Sequence, residues 1–276
     1  MKRSKPDPRI AVLIPIYKTG LSEYEAISLR QCCTVLGHFP LILVKPHSLS
    51  IEPYTAFKSD FEVEPFDDVY FRNTGGYNRL MLSPEFYTRF LDYDYILIHQ
   101  LDAFVFKDEL LDWCKRDYDY IGAPWLSTPL EGGFLRNFKR DRRHRKAWRK
   151  NLKQKGTDLP VDLQFLNMVG NGGFSLRKVV KFQEICHAHR EIIDFYKENC
   201  ERHHFFNEDV FWSMEVNRRS TRLRIPGYKK AVAFSIEFCP EYAFKLTGGK
   251  LPFGCHAWDL YSGFWRSKLQ PFNYNI

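Results

Sequence analysis

The pattern of residues 9–46 constrains the fold more than any other part of the chain. Arg9 to Tyr17 is a continuous apolar and β-branched run, which is typical of a central strand in a parallel sheet. Ser22, with a glutamate three residues later, forms the capping box that begins a helix, and Gly37 ends that helix. A second apolar run, Leu41–Val44, follows. A strand, a helix and a strand at this spacing predict a βαβ unit that begins a parallel sheet.

Further strands and helices are predicted along the rest of the chain. Before residue 126 we expect a short strand near the end of 61–71, a helix over 79–91, a strand over 95–106, a short helix over 109–116, and a strand that runs into a loop over 118–125. After residue 165 we expect a strand over 169–176 that Gly170–Gly173 interrupts, a helix to about residue 200, and peripheral strands over 222–225, 231–234 and 236–238. This order predicts an α/β fold.

Polar residues interrupt the apolar stretch Tyr95–Phe106. His99, Gln100 and Asp102 stand among isoleucine, leucine and phenylalanine. A carboxylate in so apolar a segment is costly unless a donor, a cation or a metal pairs with it. Ligands of open α/β sheets bind at strand ends. One hypothesis is therefore that Asp102 holds a divalent metal, and the alternative is a capping or turn aspartate between two strands.

The composition excludes several classes of protein. The chain has 276 residues, 44% hydrophobic and 27% charged, as expected for a globular protein with one large core or two intimate subdomains. Its seven cysteines are odd in number and lack a CxxC pair, which favours reduced thiols in a cytoplasmic protein. The first eight residues precede an apolar run that is too short for a span and has no small-residue cleavage site of a leader. No other segment reaches the ~18 apolar residues that a span requires.

Positive charge is concentrated in a predicted insertion at residues 126–165. The formal net charge is +8, and the segment Arg136–Lys155 holds 11 Lys or Arg and one acid, Asp141. A solvated helix, a mobile flap that closes over phosphates, and a surface that touches an anionic membrane are all compatible with this segment. Binding of nucleic acid through the same segment is a weaker alternative, because no RNA-binding motif accompanies it.

Three later features could carry chemistry. Gly170-Asn-Gly-Gly173 allows the backbone to approach a ligand closely, or forms a simple hairpin turn. Asn207 is a good helix N-cap, and Glu208 and Asp209 follow it, where they either complement the helix dipole or supply a general base. His256, in a glycine-containing turn beside Cys255, is either structural or a metal ligand.

The common nucleotide and hydrolase motifs are missing. The sequence contains no GxxxxGK[ST] loop, no GxGxxG after the first strand, no serine nucleophile elbow and no HExxH pair. P-loop enzymes, classical dinucleotide-binding enzymes, α/β-hydrolases and zincin proteases are therefore not expected.

The remaining motifs resemble those of GT-A-type, nucleotide-sugar-dependent glycosyltransferases. More specifically, the chain is similar to DUF5672, a bacterial family of formerly unassigned function. The resemblance spans roughly residues 9–260 and is carried by Tyr95–Phe106, Tyr118–Trp125, Gly170–Arg177, Asn207–Trp212 and Phe253–Trp258 in the family's order. It implies one GT-A-like domain over residues 1–276, in which a Rossmann-like, mainly parallel sheet is flanked by helices. Residues 9–125 would form the nucleotide-binding half, 126–165 the basic insertion, and 166–260 the acceptor and catalytic half.

The resemblance also implies a metal site. Enzymes of this class bind Mn²⁺, or Mg²⁺, through an Asp-x-Asp motif after a central strand, and the equivalent here is Gln100-Leu-Asp102. The first aspartate is replaced, so only Asp102 keeps the metal-ligand chemistry, and Gln100 would hydrogen-bond the ribose or a metal-bound water. His256 matches a C-terminal histidine that can complete the metal site.

The other implied residues surround the donor and the acceptor. Asp209 would be the general base of an inverting reaction, with Glu208 as its neighbour or as an acceptor contact. The implied donor contacts are Tyr17, Asn78, Gln100, Asp102, Asn171, Gly172 and Gly173.

The resemblance implies a metal-dependent, hexosyltransferase-like enzyme of polysaccharide biosynthesis. Its donor would be a nucleotide sugar, with a UDP-sugar favoured, and its acceptor a glycan or a lipid-linked glycan. We expect a bacterial, cytoplasmic protein that contacts the inner face of an anionic membrane, with no nucleic-acid partner. The alternatives are a non-catalytic relative that binds nucleotide sugars or carbohydrates and, more weakly, a nucleic-acid-binding protein.

Overall fold

The computed structural model describes residues 6–276, so the first five residues, over which we expect no leader, lie outside the described part. In its first half the elements are β1 (Ile10–Pro15), α1 (Glu23–Leu36), β2 (Leu41–Pro46), α2 (Glu52–Thr55), β3 (Glu62–Phe66), α3 (Thr74–Met81), α4 (Pro84–Thr88), β4 (Tyr95–His99), β5 (Phe104–Val105), α5 (Leu110–Lys115) and β6 (Tyr120–Ile121). The second half contains α6 (Gly133–Arg149), β7 (Phe174–Lys178), α7 (Val179–Ala188), α8 (Arg190–Asn199), α9 (Glu208–Val210), α10 (Tyr228–Ala231), β8 (Ser235–Ile236), α11 (Pro240–Leu246), β9 (Gly254–Cys255) and α12 (Ser262–Leu269).

The central sheet has six strands in the order β3-β2-β1-β4-β7-β6. The pairs β3–β2, β2–β1 and β1–β4 are parallel, as the βαβ pattern of residues 9–46 predicts. Strand β7 runs antiparallel to both β4 and β6. The predicted fold class, an α/β fold with a mainly parallel central sheet flanked by helices, is thus confirmed.

A second, three-stranded sheet positions the polar residues at the end of β4. Its order is β5-β9-β8, with β9 antiparallel to β5 and parallel to β8. Asp102 precedes β5, Glu237 follows β8 and His256 follows β9. Because the three short strands are neighbours, these three side chains meet at one place.

Alternate residues of the central strands pack on opposite faces of the sheet, as the two-residue period of a strand requires. Ala11 and Leu13 join one buried cluster, and Val12 and Ile14 join another. A third cluster lies behind the small sheet around Trp258 and Trp265. The rigid core therefore holds the end of β4 from both faces.

Several predicted elements of the first half were wrong in extent. The third strand occupies Glu62–Phe66, at the start of the predicted region and not near its end. The helix predicted over 79–91 is two helices, α3 and α4. Ser83 caps the second of them and Pro84 begins it, because proline lacks the N–H group needed inside a continuous helix. The strand predicted over 118–125 is only β6.

The second half differs more from the prediction. The helix predicted up to residue 200 is divided at His189 into α7 and α8. After the predicted interruption at Gly170–Gly173, strand β7 begins at Phe174. No strand forms at 222–225 or 231–234 within the described chain. Of the three predicted peripheral strands only Ser235–Ile236 pairs in a sheet. Short apolar runs do not distinguish strands from buried loops, which explains these errors.

The insertion contains one long helix, α6 (Gly133–Arg149), which holds eight of the 11 Lys or Arg of the segment Arg136–Lys155. This agrees with the solvated-helix interpretation of the segment. No helix within residues 6–276 combines the length and the apolar character that crossing a membrane requires.

Candidate functional site

The imidazole of His256 is the centre of a hydrogen-bonded network. Its Nε2 lies 3.1 Å from Asp102 Oδ1 and 3.2 Å from Gln100 Oε1. Its Nδ1 lies 3.2 Å from Glu237 Oε1 and 3.1 Å from Asn171 Nδ2. Burial favours the neutral imidazole, but the carboxylates of Asp102 and Glu237 outweigh it and raise the pKa of His256 to about 10.

Asn171 connects the glycine-rich turn to this network. Its side-chain Oδ1 accepts hydrogen bonds from the N–H groups of Gly173 (3.0 Å) and Phe174 (3.1 Å). Its Nδ2 donates to Glu237 Oε2 at 2.8 Å. The side chain is buried and its hydrogen-bonding capacity is largely used by the protein, so Asn171 holds the turn in place.

A cavity of about 580 Å³, here called the tyrosine-lined cavity, opens on one side of the network. Asp102 and Gln100 line it, and 42% of the Asp102 side chain is exposed. Tyr17, 57% exposed, stands at the end of β1, and its ring has no aromatic partner in the described chain. The other aromatic residues of the lining are Tyr24, Tyr70, Phe71 and Tyr77. The arrangement combines flat aromatic surfaces with an accessible carboxylate.

A second cavity of about 670 Å³, here called the acid-lined cavity, opens on the other side. Asn171 and Glu237 of the network line it together with Asp209. Much of the remaining lining is apolar and comprises Trp125, Leu126, Leu130, Leu163, Phe165, Leu166, Val210 and Phe238. The network around His256 therefore reaches from one cavity to the other.

The pKa of Asp209 is strongly raised. Burial raises its pKa to about 7, and the negative charges of Glu208 and Glu237 act in the same direction. Asp209 lies in the short helix α9, and Phe211–Glu215 continues it as a π-helical turn, a feature often found at functional sites. A carboxyl group that titrates near neutral pH at a cavity surface is suited to general-base chemistry.

Glu208 points away from both cavities. Its Oε1 pairs with Arg177 Nη2 at 2.9 Å, and the two side chains are 3% and 0% exposed. Burial raises the pKa of Glu208, although the charge of Arg177 opposes this shift. Glu208 therefore holds the start of α9 in place through Arg177, and its side chain has no exposed surface that an acceptor could contact.

Asn78 and Asn207 form a second support for α9. Asn78 Nδ2 donates to Asn207 Oδ1 at 3.0 Å, and Asn78 Oδ1 accepts from the Glu208 N–H at 2.9 Å. Asn207 occupies the predicted N-cap position of α9 but makes no side-chain capping bond, and Asn78 supplies that bond from across the fold. Asn78 is buried and lines neither cavity, which conflicts with the predicted nucleotide contact.

The glycines of the turn face protein side chains. A Cβ atom at Gly172 would come within 2.2 Å of Glu208 Oε1. A Cβ atom at Gly173 would overlap with His256 Nε2, and it would lie 2.6 Å from Gln100 Oε1. The turn thus requires glycine so that Glu208 and His256 can pack against it. The sequence predicted a close approach of this backbone to a ligand, whereas in the structure these side chains occupy the space beside the glycines.

A divalent metal ion shared by Asp102 and His256 would have to displace the imidazole proton that lies between them, because only the neutral imidazole binds a metal. Two neighbouring ligands of an octahedral ion with bonds of ~2.1 Å lie ~3.0 Å apart, and Asp102 Oδ1 and His256 Nε2 are 3.1 Å apart. Within the described residues, no group of three or more His, Cys, Asp or Glu could hold an ion by itself. Water or ligand oxygens would have to complete the coordination, as is common for Mg²⁺.

Sequence reasoning found most of the residues that meet here but missed two. Gln100, Asp102, Asn171, Gly173 and His256 are brought together, with Asp209 in the adjoining cavity. Glu237 was missed because no motif marks it. Arg177 was also missed, because strand β7 (Phe-Ser-Leu-Arg-Lys) contains other polar residues that hide the buried arginine in the sequence.

Several solved structures are similar to this chain at low sequence identity. Mouse xyloside xylosyltransferase 1, in its apo form, shares 12% identity over 89% of this chain and 96% of its own, with a TM-score of 0.49. The glycosyltransferase GlyE of Streptococcus pneumoniae shares 12% over 90% of this chain and a TM-score of 0.47, and this chain spans about half (54%) of its length. Core-mannan synthase A of Aspergillus fumigatus, in an Mn/GDP form, shares 12% over 80% of this chain and 73% of its own, with a TM-score of 0.44.

No curated protein matches the chain. One family model does, and it covers residues 60–256, more than two thirds of the sequence. The matched region runs from the start of the third strand to His256, so it includes the whole network and both carboxylates of α9. The chain belongs to the DUF5672 family, whose members are described as proteins of unknown function.

Proposed function

We propose that the chain is a metal-dependent glycosyltransferase that moves a sugar from a nucleotide-sugar donor to a glycan or lipid-linked acceptor. The observation that carries the proposal is that the His256 network connects the two cavities. The tyrosine-lined cavity contains the exposed carboxylate of Asp102, and the acid-lined cavity contains Asp209, whose pKa is raised to about 7. Such a site has one compartment for each of two substrates, with the reacting groups between them. We extend the proposal to a cytoplasmic, bacterial enzyme of polysaccharide biosynthesis.

The donor is assigned to the tyrosine-lined cavity. The exposed ring of Tyr17 offers a stacking surface for the base, and Gln100 is placed to hydrogen-bond the ribose or a bound water. Asp102 and His256 would hold Mn²⁺ or Mg²⁺, and a bound ion would neutralise the charge of the donor diphosphate. A UDP-sugar remains the favoured donor. In domain terms, residues 9–125 would supply the donor half and 166–260 the acceptor half.

The acceptor is assigned to the acid-lined cavity. Asp209 would accept the hydroxyl proton while the acceptor oxygen forms a bond to the anomeric carbon. The bond between that carbon and the diphosphate oxygen breaks, and the nucleoside diphosphate leaves with the electron pair. One direct displacement of this kind inverts the anomeric configuration. Glu208, Arg177 and Asn78 act as positioning residues, because they hold α9 without reaching the cavity.

A thermal-shift panel of the full chain tests the donor assignment. UDP-, GDP-, dTDP- and CMP-sugars are each added with and without Mn²⁺. A ligand at about 100 times its Kd should stabilise the fold by ~2.7 kcal/mol. We expect at least one nucleotide sugar to raise the Tm, with a larger shift when Mn²⁺ is present.

Two variants make the panel specific. Asp102→Ala should abolish the additional shift caused by Mn²⁺, whereas Asp259→Ala, an acid of the same cavity that does not contact His256, should keep it. An equal Mn²⁺-dependent shift in Asp102→Ala and in the wild type would refute the metal assignment. No shift with any donor would refute the nucleotide-sugar assignment.

The replacement of the first aspartate by Gln100 supports one alternative, a non-catalytic relative that binds nucleotide sugars or carbohydrates. Both functions predict a thermal shift, so release of nucleoside diphosphate separates them. Slow, Mn²⁺-dependent release of the diphosphate from the stabilising donor is expected of the enzyme. Binding without any release or transfer, over a panel of glycan acceptors, would favour the alternative.

A further inference from the structure

Helix α6 is attached to the protein by one side only. His144 Nε2 lies 3.1 Å from the Gln164 carbonyl oxygen, and Trp148 Nε1 donates to the Met214 carbonyl oxygen at 3.0 Å. Ala147, between them, is buried. These residues share one helical stripe, so the remaining faces of α6 are turned away from the protein.

The opposite side of α6 is strongly basic. The helix Gly133–Arg149 contains eight Lys or Arg and one acid, Asp141, which gives a charge of 8 − 1 = +7. Asp141 pairs with Arg140 on the helix itself. Within residues 6–276 no ion pair involves the exposed residues of what we call the basic face: Lys139, Arg142, Arg143, Arg145, Lys146 and Arg149. This charge is available for an external anionic partner.

The first turns of the helix add an exposed apolar cluster, the apolar tip, which consists of Phe134, Leu135 and Phe138. Phe134 is 80% exposed and Leu135 is 71% exposed. The rings of Phe134 and Phe138 stack with centroids 6.1 Å apart. Large apolar residues beside a basic face are the pattern of helices that lie in a membrane interface. A nucleic-acid backbone would use the charges but would give Leu135 no apolar environment.

The apolar tip is joined to the wall of the acid-lined cavity. Asn137 Oδ1 accepts from the Leu130 N–H at 2.8 Å, and Asn137 Nδ2 donates to the Leu130 carbonyl at 3.0 Å. Arg140 Nη1 donates to the Thr128 carbonyl at 2.9 Å. Leu130 and Arg140 both line the cavity. A surface that receives the apolar tip therefore also lies close to the mouth of this cavity.

We propose that α6 docks on an anionic phospholipid bilayer through its basic face and apolar tip, and thereby presents the acid-lined cavity to an acceptor carried by a membrane lipid. The identification of that cavity as the acceptor site rests on the proposed function; the docking itself does not. The apolar lining by residues such as Trp125, Leu126 and Phe238 suits the lipid-proximal part of an amphipathic acceptor. Asp209 lies in the same cavity, where the acceptor hydroxyl would react.

Vesicle sedimentation of the full chain tests the docking without donor or acceptor, so its failure is distinct from failure of the glycosyltransferase assignment. Binding is compared between phosphatidylcholine vesicles and an equal mixture with phosphatidylglycerol. We expect binding to the anionic vesicles only. Removing three charges by Arg142→Gln, Lys146→Gln and Arg149→Gln should weaken it on the order of 100-fold, at roughly fivefold per charge.

A matched variant removes the same number of charges elsewhere. Arg30→Gln, Arg190→Gln and Lys250→Gln change exposed residues of α1, α8 and the loop after α11. This control should bind anionic vesicles nearly as well as the wild type. Equal losses in the two triple variants would mean that net charge alone attracts the protein, which overturns the proposal.

Leu135→Trp reports on insertion of the apolar tip. The fluorescence emission that this variant gains over the wild type should shift to shorter wavelength on anionic vesicles, and lipids with brominated acyl chains should quench it. Titration with duplex DNA and with single-stranded RNA at the same salt concentration examines the competing partner. Tighter binding to either nucleic acid than to anionic vesicles, or vesicle binding without quenching, would overturn the proposal.

Discussion

Removing the cation of the buried Arg177–Glu208 ion pair should destabilise the protein strongly. In the wild type Arg177 Nη2 lies 2.9 Å from Glu208 Oε1, and neither side chain is more than 3% exposed. Arg177 also donates to the Tyr87 hydroxyl at 2.9 Å and to Ser175 Oγ at 3.1 Å. Arg177→Met keeps much of the side-chain volume but leaves the Glu208 carboxyl buried without a cation.

The structure sets the size of this effect. Breaking a buried ion pair by removing one partner typically costs about 3–5 kcal/mol, because the other charge is left uncompensated. At ~2–4 °C per kcal/mol for a protein of this size, the Tm should fall by roughly 6–20 °C. Arg202→Met provides the contrast: it breaks the half-exposed pair with Asp158, which solvent screens, and should change the Tm little.

A double-mutant cycle measured by urea unfolding at pH 8 separates the pair from its surroundings. Glu208→Leu alone should also be destabilising, because it leaves Arg177 buried and unpaired. The double variant Arg177→Met/Glu208→Leu should be more stable than the sum of the two losses predicts, since a buried pair can be replaced by apolar groups at little cost. Additive losses, or an Arg177→Met loss no larger than that of Arg202→Met, would refute this description of the pair.

Three further predictions concern the two cavities. The pKa of Asp209 is raised to about 7, and only the ionised carboxylate can accept a proton. The value of kcat/KM for sugar transfer should therefore fall about tenfold per pH unit below pH 7, and a pH profile that is flat down to pH 5 would contradict this. Gly173→Ala should lower the free energy of unfolding by about 1–3 kcal/mol and weaken donor binding, because the new Cβ would collide with His256. Gly227→Ala, which has open space around it, should change neither quantity in the same unfolding and binding assays. Tyr17→Ala should weaken donor binding by ~1–3 kcal/mol in calorimetry without lowering the Tm, and an unchanged affinity would exclude base stacking on this ring.

The sequence was informative where local patterns decide the structure. Ser22 and Glu25 form both bonds of the predicted capping box, and β1 pairs in parallel with β2 as the βαβ pattern requires. The resemblance to GT-A enzymes, and not a local pattern, implied that Asp102 and His256 share one site, and Asp102 Oδ1 lies 3.1 Å from His256 Nε2. Strand periodicity and capping act over a few residues, so one sequence is sufficient to reveal them.

Long-range partners could not be predicted in the same way. Asn78 caps α9 across 130 residues of sequence, and nothing near it indicates that role. Glu237 joins the network only because β8 pairs with β9, and neither two-residue strand has a periodicity to detect. Gly172 and Gly173 were correctly noticed, but which side chains fill the space beside them depends on the tertiary packing.

Transfer by Asp209→Asn, compared with its donor binding, is the most direct test of the central claim. The full chain is incubated with the donor identified by thermal shift and a lipid-linked or glycan acceptor, and Asp162→Asn, another acid of the same cavity, serves as the matched control. We expect Asp209→Asn to bind the donor with wild-type affinity but to transfer sugar about 10²–10⁴ times more slowly, while Asp162→Asn stays near the wild-type rate. Transfer by Asp209→Asn at the wild-type rate would show that Asp209 is not the general base.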